Sequence, residues 1–305
     1  MLKYILRDVG GNATAFSSPL KVSLVSSQDA PADSLTAVFA VSGRIPALRS
    51  AEVLRDGERV FFGYIDEQSE ELNDNGRFLT VSARSLAAVL LDNEACPQIY
   101  CSPSMPLLMK RHFAPLGFKD YIGADKAFNG QLVITKGMSE WAVLRSFCEY
   151  FTGTAPRIKA DGVIDISGEE NSGTVYLSPD KTFMIKRELK NKALVSRIWA
   201  RTRAAGDYSL PVDSKRAAQA GVTRIRYFNA ADSRSGTVLT AEKMIKKADK
   251  SCERLTVGYA GCMLCETGAR LIMSGDRRIY GITGIVYILD SSGERTTIYA
   301  EVNGE

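Results

Sequence analysis

Histidine is nearly absent from this sequence, since the chain of 305 residues contains only His112. Any Ser-His-Asp or Cys-His catalytic site would have to use His112, and its apolar neighbours in LLMKRHFAPLG favour a packing or surface role over that of a general base. The GxSxG, GxxxxGK(S/T) and HExxH patterns are also missing, and no strand is followed by GxGxxG. We therefore predict that the protein is not an enzyme, with no catalytic residues and no cofactor.

Cysteine is sparse, which fits free thiols in a reducing compartment better than a disulfide framework. Cys262 and Cys265 have the CxxC spacing of a metal site, but the surrounding LTVGYAGCMLCETGARLIM is predicted to be a strand, which puts the two thiols on opposite faces. Buried apolar thiols are favoured, a metal site is the alternative, and we predict no bound metal. The six cysteines are Cys96, Cys101, Cys148, Cys252, Cys262 and Cys265.

Long apolar runs are missing as well. No stretch reaches the length of about eighteen residues that a membrane helix needs. The N-terminal MLKYILRDVGGNATAF has neither the apolar core nor the cleavage site of a signal peptide. We expect a protein made in the cytoplasm, with no membrane partner, that leaves the cell only as part of something larger.

Neither charge sign is in large excess, and a net charge of +4 does not by itself indicate a nucleic-acid partner. Residues 181–203 hold eight Lys or Arg and one Glu, and an alternating strand there would carry a basic stripe on one face. A solvated face is favoured over a nucleic-acid contact, because no aromatic stacking pattern accompanies the charges. The basic residues concerned are Lys186, Arg187, Lys190, Lys192, Arg197, Arg201 and Arg203.

Acidic residues cluster in the segment EQSEELNDN. A glycosidase needs only two carboxylates, which Glu67, Glu70, Glu71 and Asp74 would nominally supply. The segment lies between two predicted strands of a hairpin, however, where solvent-facing acids are usual. A catalytic pair is therefore not favoured here.

What the sequence does contain is short strands bounded by turn residues. Asp56-Gly57 and Asn75-Gly76 are strong hairpin signals, so residues 50–85 are predicted to form a three-stranded meander. Helices are predicted at 85–95, at 102–118 and at 136–153, the last capped by Ser139 and stopped by Gly153. A hairpin turning at Asp161-Gly162 follows, and from about residue 183 strands resume, with one more helix, TAEKMIKKADKSCERL, opening at Thr240.

The predicted fold class is α+β and β-rich, with two similar small β-barrel domains and an α/β insert between them. The first barrel is predicted over residues 1–95, the insert over residues 96–182, and the second barrel, with an inserted helix, over residues 183–305.

A repeat supports the idea of two barrels. Residues 57–63, GERVFFG, are similar to residues 275–281, GDRRIYG, and in both places a strand follows and a Gly turn brings it back. Similar turn chemistry in two unrelated meanders is the alternative explanation. If the unit is duplicated, three copies of the chain would make a ring of six similar units with true three-fold symmetry. The paired residues are Gly57, Arg59, Phe62 and Gly63 with Gly275, Arg277, Tyr280 and Gly281.

The segment VFFGYIDEQSEELNDNGRFLTVSARSLAAVLLDNEACP resembles the first barrel of the central baseplate hub proteins of contractile phage tails and related phage-derived particles. An aromatic-Gly-x-(I/V)-(D/E) strand, a hairpin, a strand ending in Arg and a helix running into Asp-Asn carry the resemblance. SEWAVLRSFCEYFTGTAPRIKADGVIDIS is similar to the helix and hairpin that follow this barrel, and GARLIMSGDRRIYGITGIVYILDSSGERTTIYAEV to the second barrel. The residues matched in the first segment are Phe62, Gly63, Ile65, Asp66, Arg84 and Leu90 to Asn93.

The resemblance implies a homotrimer whose barrels form a pseudo-six-fold ring between a hexameric tail tube and a trimeric central spike. The tail tube protein, the central spike protein and other baseplate proteins would be its partners, inside a phage or phage-like particle. In a particle that carries DNA, the basic stretch at 181–203 would line the bore and contact the passing DNA transiently. A tail-associated cell-wall hydrolase or protease using His112 or Glu70 is the alternative function.

Overall fold

One large sheet organises the molecule. The computed structural model describes residues 2–152, 155–167, 173–201, 207–229 and 241–302. The strands are β1 (Leu2–Asp8), β2 (Ala13–Phe16), β3 (Lys21–Ser27), β4 (Ser34–Ala40), β5 (Leu48–Arg55), β6 (Glu58–Asn73), β7 (Gly76–Ser85), β8 (Gln98–Tyr100), β9 (Tyr121–Ile122), β10 (Leu132–Ile134), β11 (Arg157–Ile158), β12 (Ile164–Asp165), β13 (Thr174–Tyr176), β14 (Thr182–Leu189), β15 (Arg197–Arg201), β16 (Leu210–Asp213), β17 (Ile225–Asn229), β18 (Glu253–Ala260), β19 (Arg270–Ile272), β20 (Tyr280–Asp290) and β21 (Gly293–Val302). The α-helices are α1 (Ala87–Asp92), α2 (Met105–Leu108), α3 (Glu140–Phe147), α4 (Lys215–Gln219) and α5 (Ala241–Ser251).

The main path of this sheet runs β14-β18-β21-β20-β3-β4-β7-β6-β5-β1-β2, and β19 and β13 branch from β20. We call β3-β4-β7-β6-β5 the first unit and β14-β18-β21-β20-β19 the second unit. The two units join directly, because β3 pairs with β20 from Val22–Leu289 to Ser27–Gly284. The chain is therefore β-rich, as predicted, and one unbroken sheet runs through both units.

The first unit, together with β1 and β2 beside it, curls around a shared core. Alternate residues of its strands are buried, among them Leu79 and Val81 of β7. The rings of Phe16 in β2 and Phe39 in β4 are 4.5 Å apart although four strands separate β2 from β4 in the sheet. In a flat sheet, strands that far apart would be about 24 Å from each other. The sheet must therefore bend back on itself to bring these rings together.

The second unit repeats the first in register as well as in strand order. A β-bulge interrupts the β6–β7 pairing at Asp66 and the β20–β21 pairing at Thr283, and each hairpin then runs without interruption to its turn. The buried residues of the central strands follow the same ladder. In the first unit Leu79, Val81 and Ala83 face Phe39, Ala37 and Leu35, and in the second Thr296, Ile298 and Ala300 face Tyr259, Val257 and Leu255.

The segment between the two units has a separate core, which includes Leu90, Phe113, Leu144 and Phe147. Ser139 caps α3 as predicted, because its hydroxyl accepts a hydrogen bond from the amide of Ala142 at 3.2 Å. The predicted stop of this helix, Gly153, lies outside the described residues. Short sheets complete the architecture: β8 with β10, β9 with β12 and β11, and β15 with β16 and β17, the last packed against α5 through Ile198 and Ile245.

Two predictions near the C-terminal hairpin are wrong. The predicted strand over residues 255–273 is two strands, since β18 ends at Ala260 and β19 begins at Arg270. Gly261, with φ of 101°, turns the chain out of β18. The helix predicted to end at Leu255 stops at Ser251, because Leu255 is buried in the sheet opposite Ala300. Its predicted first residue, Thr240, lies outside the described part of the chain.

Candidate assembly interface

The two glycine motifs occupy matching turns. Gly57, with φ of 93°, lies between β5 and β6, and Gly275, with φ of 80°, lies between β19 and β20. In the strands that follow, the structural correspondence of the two units is shifted by one residue from the alignment of the two sequence motifs. Counted from the matching bulges, Gly63 corresponds to Tyr280, not to Gly281. Because side chains alternate between the two faces of a strand, this shift explains why Tyr280 is fully buried whereas Phe62 is only half-buried.

The arginines of the two motifs also differ. Arg59 donates to Glu52 at 2.6 Å and lies over the Phe62 ring, 5.2 Å from its centroid. Arg277 is exposed, and Arg278 makes the corresponding contacts in the second unit, with Glu253 at 2.6 Å and over the Tyr280 ring at 5.7 Å.

The residues matched by the phage-tail resemblance meet at one end of the first unit. The Arg84 guanidinium donates to both oxygens of Asp66, at 2.8 and 2.9 Å, and to both oxygens of Asp92, at 3.1 and 2.7 Å. These bonds raise the pKa of Arg84 and lower that of Asp92. Gly63 is required beside them, because a Cβ there would lie 2.0 Å from the carbonyl oxygen of Arg84. The cluster braces the β6–β7 hairpin against α1.

A second brace lies in the second unit around Asp276. Its carboxylate accepts hydrogen bonds from Arg278 at 3.1 Å, from the Tyr280 hydroxyl at 2.8 Å and from Arg187 of β14 at 2.5 Å. The bonds from Arg278 are the main reason that the pKa of Asp276 falls to about 2. This ion cluster fixes β14 to the start of β20.

The structure divides the basic stretch between two sheets. Lys186 and Arg187 point to opposite faces of β14, and Lys190 follows the end of that strand. Lys192 lies in a 3₁₀ turn, and β15, which contains Arg197 and Arg201, belongs to a different sheet. Arg203 lies outside the described residues. The basic residues therefore do not form one stripe.

Aromatic neighbours that sequence reasoning missed lie beside Arg197. Its guanidinium is 5.1 Å from the centre of the Trp199 ring and forms two hydrogen bonds with Asp213. Tyr227 is paired with Trp199 across the parallel β15–β17 ladder and is 66% exposed. Such a pair has no local signal, because β15 and β17 are far apart in sequence.

The acidic segment lies in the second half of β6. Beyond Asp66, the strand pairs with β7 alone, so among the described residues its other edge has no strand against it. Gln68 and Glu70 use their side chains to accept bonds from the amides of Leu48 and Ile45, at 2.9 and 3.1 Å. The main-chain edge from Glu67 to Leu72 is open in the sense that no described strand pairs with it, although residues 45–48 lie beside it through these two bonds and a third from Gln68 Nε2 to the Pro46 carbonyl.

The other end of the sheet is open in the same sense. Within the described ranges β14 pairs with β18 only. Its apolar side chains are exposed, with Phe183 at 61% and Ile185 at 53%. A long edge strand with exposed apolar residues is a site for pairing with another chain.

His112 lies in the core of the middle segment. Its Nδ1 is 2.8 Å from Glu140 Oε2 and its Nε2 is 2.9 Å from the Tyr100 hydroxyl, and all three residues are buried. The carboxylate next to His112 is thus Glu140 rather than Glu70, which lies in β6.

Cys262 and Cys265 lie in the loop between β18 and β19, not on a strand as predicted. Cys262 packs against the core of the first unit and Cys265 against that of the second. Burial raises the pKa of both thiols, that of Cys265 to about 12. No group of three or more His, Cys, Asp or Glu is arranged to hold a metal ion among the described residues, and no described helix is long and apolar enough to cross a membrane.

Comparison with protein-family models and with curated proteins gives no match. Solved structures do match over nearly the whole chain. The tail protein from Neisseria meningitidis MC58 is 18% identical, with a TM-score of 0.77 over 99% of this chain and 97% of that one. The 43 kDa tail protein of prophage MuSo2 from Shewanella oneidensis is 15% identical, with a TM-score of 0.76 over 98% of both chains.

A more distant likeness of fold is to a protein described as part of a secretion system. The E. coli c3393 protein, described as a component of the type VI secretion system with structural similarity to the T4 tail proteins gp27 and gp5, is 10% identical. Its TM-score is 0.57, over 94% of this chain and 74% of that one. The resemblance to phage tail proteins inferred from the sequence is thus confirmed at the level of the fold.

Proposed function

We propose that this chain is a structural component of a phage tail or of a related contractile injection particle, and that it forms the hub of the baseplate. The fold shared with tail proteins along almost the full length of the chain supports this proposal. The likeness to a type VI secretion component supports it further, because that protein is itself described as similar to T4 tail proteins.

The observation that carries the proposal is the repetition of the five-strand unit. Two units with one strand order and one register in each chain become six similar units in a trimer. Such a ring fits a six-fold tail tube on one side and a three-fold central spike on the other, and other baseplate proteins would surround it. We propose that each unit is a small barrel and that the barrels lie within residues 1–95 and 183–305, with residues 96–182 as the insert.

The separate cores support a division into three parts, although Leu90 of residues 1–95 packs in the middle core and Leu177 of residues 96–182 packs in the third. One cluster of buried residues is built almost wholly from β1 to β7, a second from the middle segment, and a third from strands after residue 173. Tyr287 and Leu289 of β20 pack with the first cluster, which fits the direct pairing of β3 with β20.

The proposal is tested by the mass of the protein in solution and by its place in a particle. We expect light scattering to give about 100 kDa, three times the 33.3 kDa of one chain, and negative-stain images to show a three-fold ring with a central hole. We also expect a tagged chain to be found at the baseplate end of purified particles. A protein that stays monomeric at high concentration and is absent from such particles would contradict the proposal.

A further inference from the structure

The pairing of β3 with β20, which joins the two units inside one chain, has a register that can be transferred to the matching strands of two different chains. The bulges fix the correspondence of β6 with β20, so that Glu67 to Asn73 match Gly284 to Asp290. The strand pairings extend this correspondence across both units. They run from β7 through β4 to β3 in the first unit and from β21 through β18 to β14 in the second. Followed in this way, they match Leu24 with Arg187 and Val22 with Ile185. β3 in the first unit thus has the position that β14 has in the second.

Inside the chain, β3 pairs with β20 beyond its bulge. The matching strand segments are β14 and the second half of β6, and both have an open edge within the described part of the chain. We infer that β14 of one copy adds to the open edge of β6 in the next copy, in the register that β3 and β20 already use. This inference rests on the ring proposed above and names the strands that close it.

The transferred register brings complementary side chains together. Within the chain, Leu24 faces Tyr287 and Ser23 faces Ile288, so the same ladder puts Arg187 opposite Glu70 and Lys186 opposite Glu71. Of the six pairs, three join opposite charges and one joins two exposed apolar residues. The pairs are Glu67–Lys190, Gln68–Leu189, Ser69–Glu188, Glu70–Arg187, Glu71–Lys186 and Leu72–Ile185.

Charge and exposure both favour a second copy as the occupant. Opposite charges directly across an antiparallel ladder stabilise pairing, and like charges destabilise it. A slip of one residue in either direction would flip every side chain to the other face and leave one opposite-charge pair in place of three, so the charges help to fix the register. Leu72 is 70% exposed and Ile185 is 53% exposed in the single chain, and the pairing would cover both.

The pairing has to accommodate existing contacts, and residues 45–48, which bond to the side chains of Gln68 and Glu70, would move aside as β14 adds to the edge. Arg187 contacts Asp276, and a guanidinium has five N–H donors, enough for a second carboxylate. Glu70 accepts from Arg77 at 3.1 Å and from the Ile45 amide, and two carboxylate oxygens accept several bonds. The contact is head-to-tail, with β14 and β6 at different places on one chain, and such contacts form a ring when the rotation between successive copies closes.

The test reverses charges on the face of the strands away from the two internal ion clusters. We expect the double variant Glu67→Lys, Glu71→Lys and the double variant Lys186→Glu, Lys190→Glu each to raise the concentration at which the ring half-dissociates by about tenfold or more. Combining all four changes in one chain should restore it. Glu58→Lys, at an exposed position of β6 before the bulge, is the control and should leave assembly unchanged.

Disulfide trapping tests the register independently of charge. Leu72→Cys with Ile185→Cys, in a chain whose exposed Cys96 and Cys101 are replaced by Ser, should give covalent trimers under oxidation. Leu72→Cys with Lys186→Cys, one residue out of register, should not.

The outcomes separate this inference from the proposed function. Suppose that the wild-type chain forms a ring, that both charge-reversed variants assemble with the same affinity, and that the Leu72→Cys, Ile185→Cys variant does not cross-link. These results would overturn the inferred pairing of β14 with β6 and leave the proposed hub function standing. A wild-type chain that is monomeric and absent from particles overturns the hub itself.

Discussion

The first and second units share a strand order but differ in what covers their outer strand. In the first unit β3 lies between β4 and β20, and its Val22 and Leu24 are buried. In the second unit β18 is the one described strand that pairs with β14, and the matching residues Ile185 and Arg187 are exposed. The same position in one topology is thus core in one unit and edge in the other.

The residues of each strand therefore reflect how many strands pair with it within the chain. β3 alternates small polar and apolar residues, as a strand with a buried face does, whereas β14 carries Lys186, Arg187 and Glu188 in succession. Charged residues on an edge are also a common means of preventing unwanted pairing. In the inferred pairing Lys186 and Arg187 face Glu71 and Glu70 of β6, so these charges select a partner as well as discourage others.

The largest expected effect is the difference in stability between side-chain truncations at matched positions of β3 and β14. Leu24→Ala should lower the free energy of unfolding by about 2–5 kcal/mol, because it removes a buried side chain and leaves a cavity. Arg187→Ala, at the matching place in β14, should lower it by less than about 1 kcal/mol, because that side chain is 46% exposed. Urea denaturation of both variants below the concentration of assembly measures the difference, and equal losses would contradict the correspondence.

A smaller effect is expected at Gly63. Gly63→Ala should lower the free energy of unfolding by about 1–3 kcal/mol, because the new Cβ collides with the carbonyl of Arg84 and must push β6 from β7. Gly43→Ala, where no atom lies within 4 Å of the added Cβ, is the matched control and should be tolerated. Thermal unfolding followed by circular dichroism would check both, and a tolerated Gly63→Ala would show that the hairpin can shift.

The smallest expected effect is the pH dependence of the stability that the two ion clusters contribute. The pKa of Asp276 in the folded protein, about 2, lies below the usual aspartate pKa of 3.8, so its stabilisation is present above about pH 4 and is lost as the pH falls toward 2. Asp276→Asn should therefore reduce stability at pH 7 but not at pH 2. Asp92→Asn in the first unit should behave in the same sense, because Arg84 lowers the pKa of Asp92 as well. Denaturation at pH 7, 4 and 2 would test this, and a loss independent of pH would contradict it.

Local signals were sufficient for the hairpins. Asp56-Gly57, Asn75-Gly76 and Asp161-Gly162 all turn as predicted, since glycine with positive φ acts on its immediate neighbours. The register between the repeated strands could not be predicted from the sequence, because the β-bulges at Asp66 and Thr283 have no sequence signature. The open edges were beyond the sequence for a related reason, since whether β14 has one neighbour or two depends on pairings between distant strands.

The pairing of β3 with β20 also has a mechanical consequence. The two units have no flexible linker as their sole connection, because six residue pairs from Val22–Leu289 to Ser27–Gly284 join their main chains directly. A pull along these antiparallel strands loads their hydrogen bonds together instead of one after another. Tension that reaches one unit is therefore carried to the other by backbone hydrogen bonds in shear, which is the geometry that resists force best in a sheet.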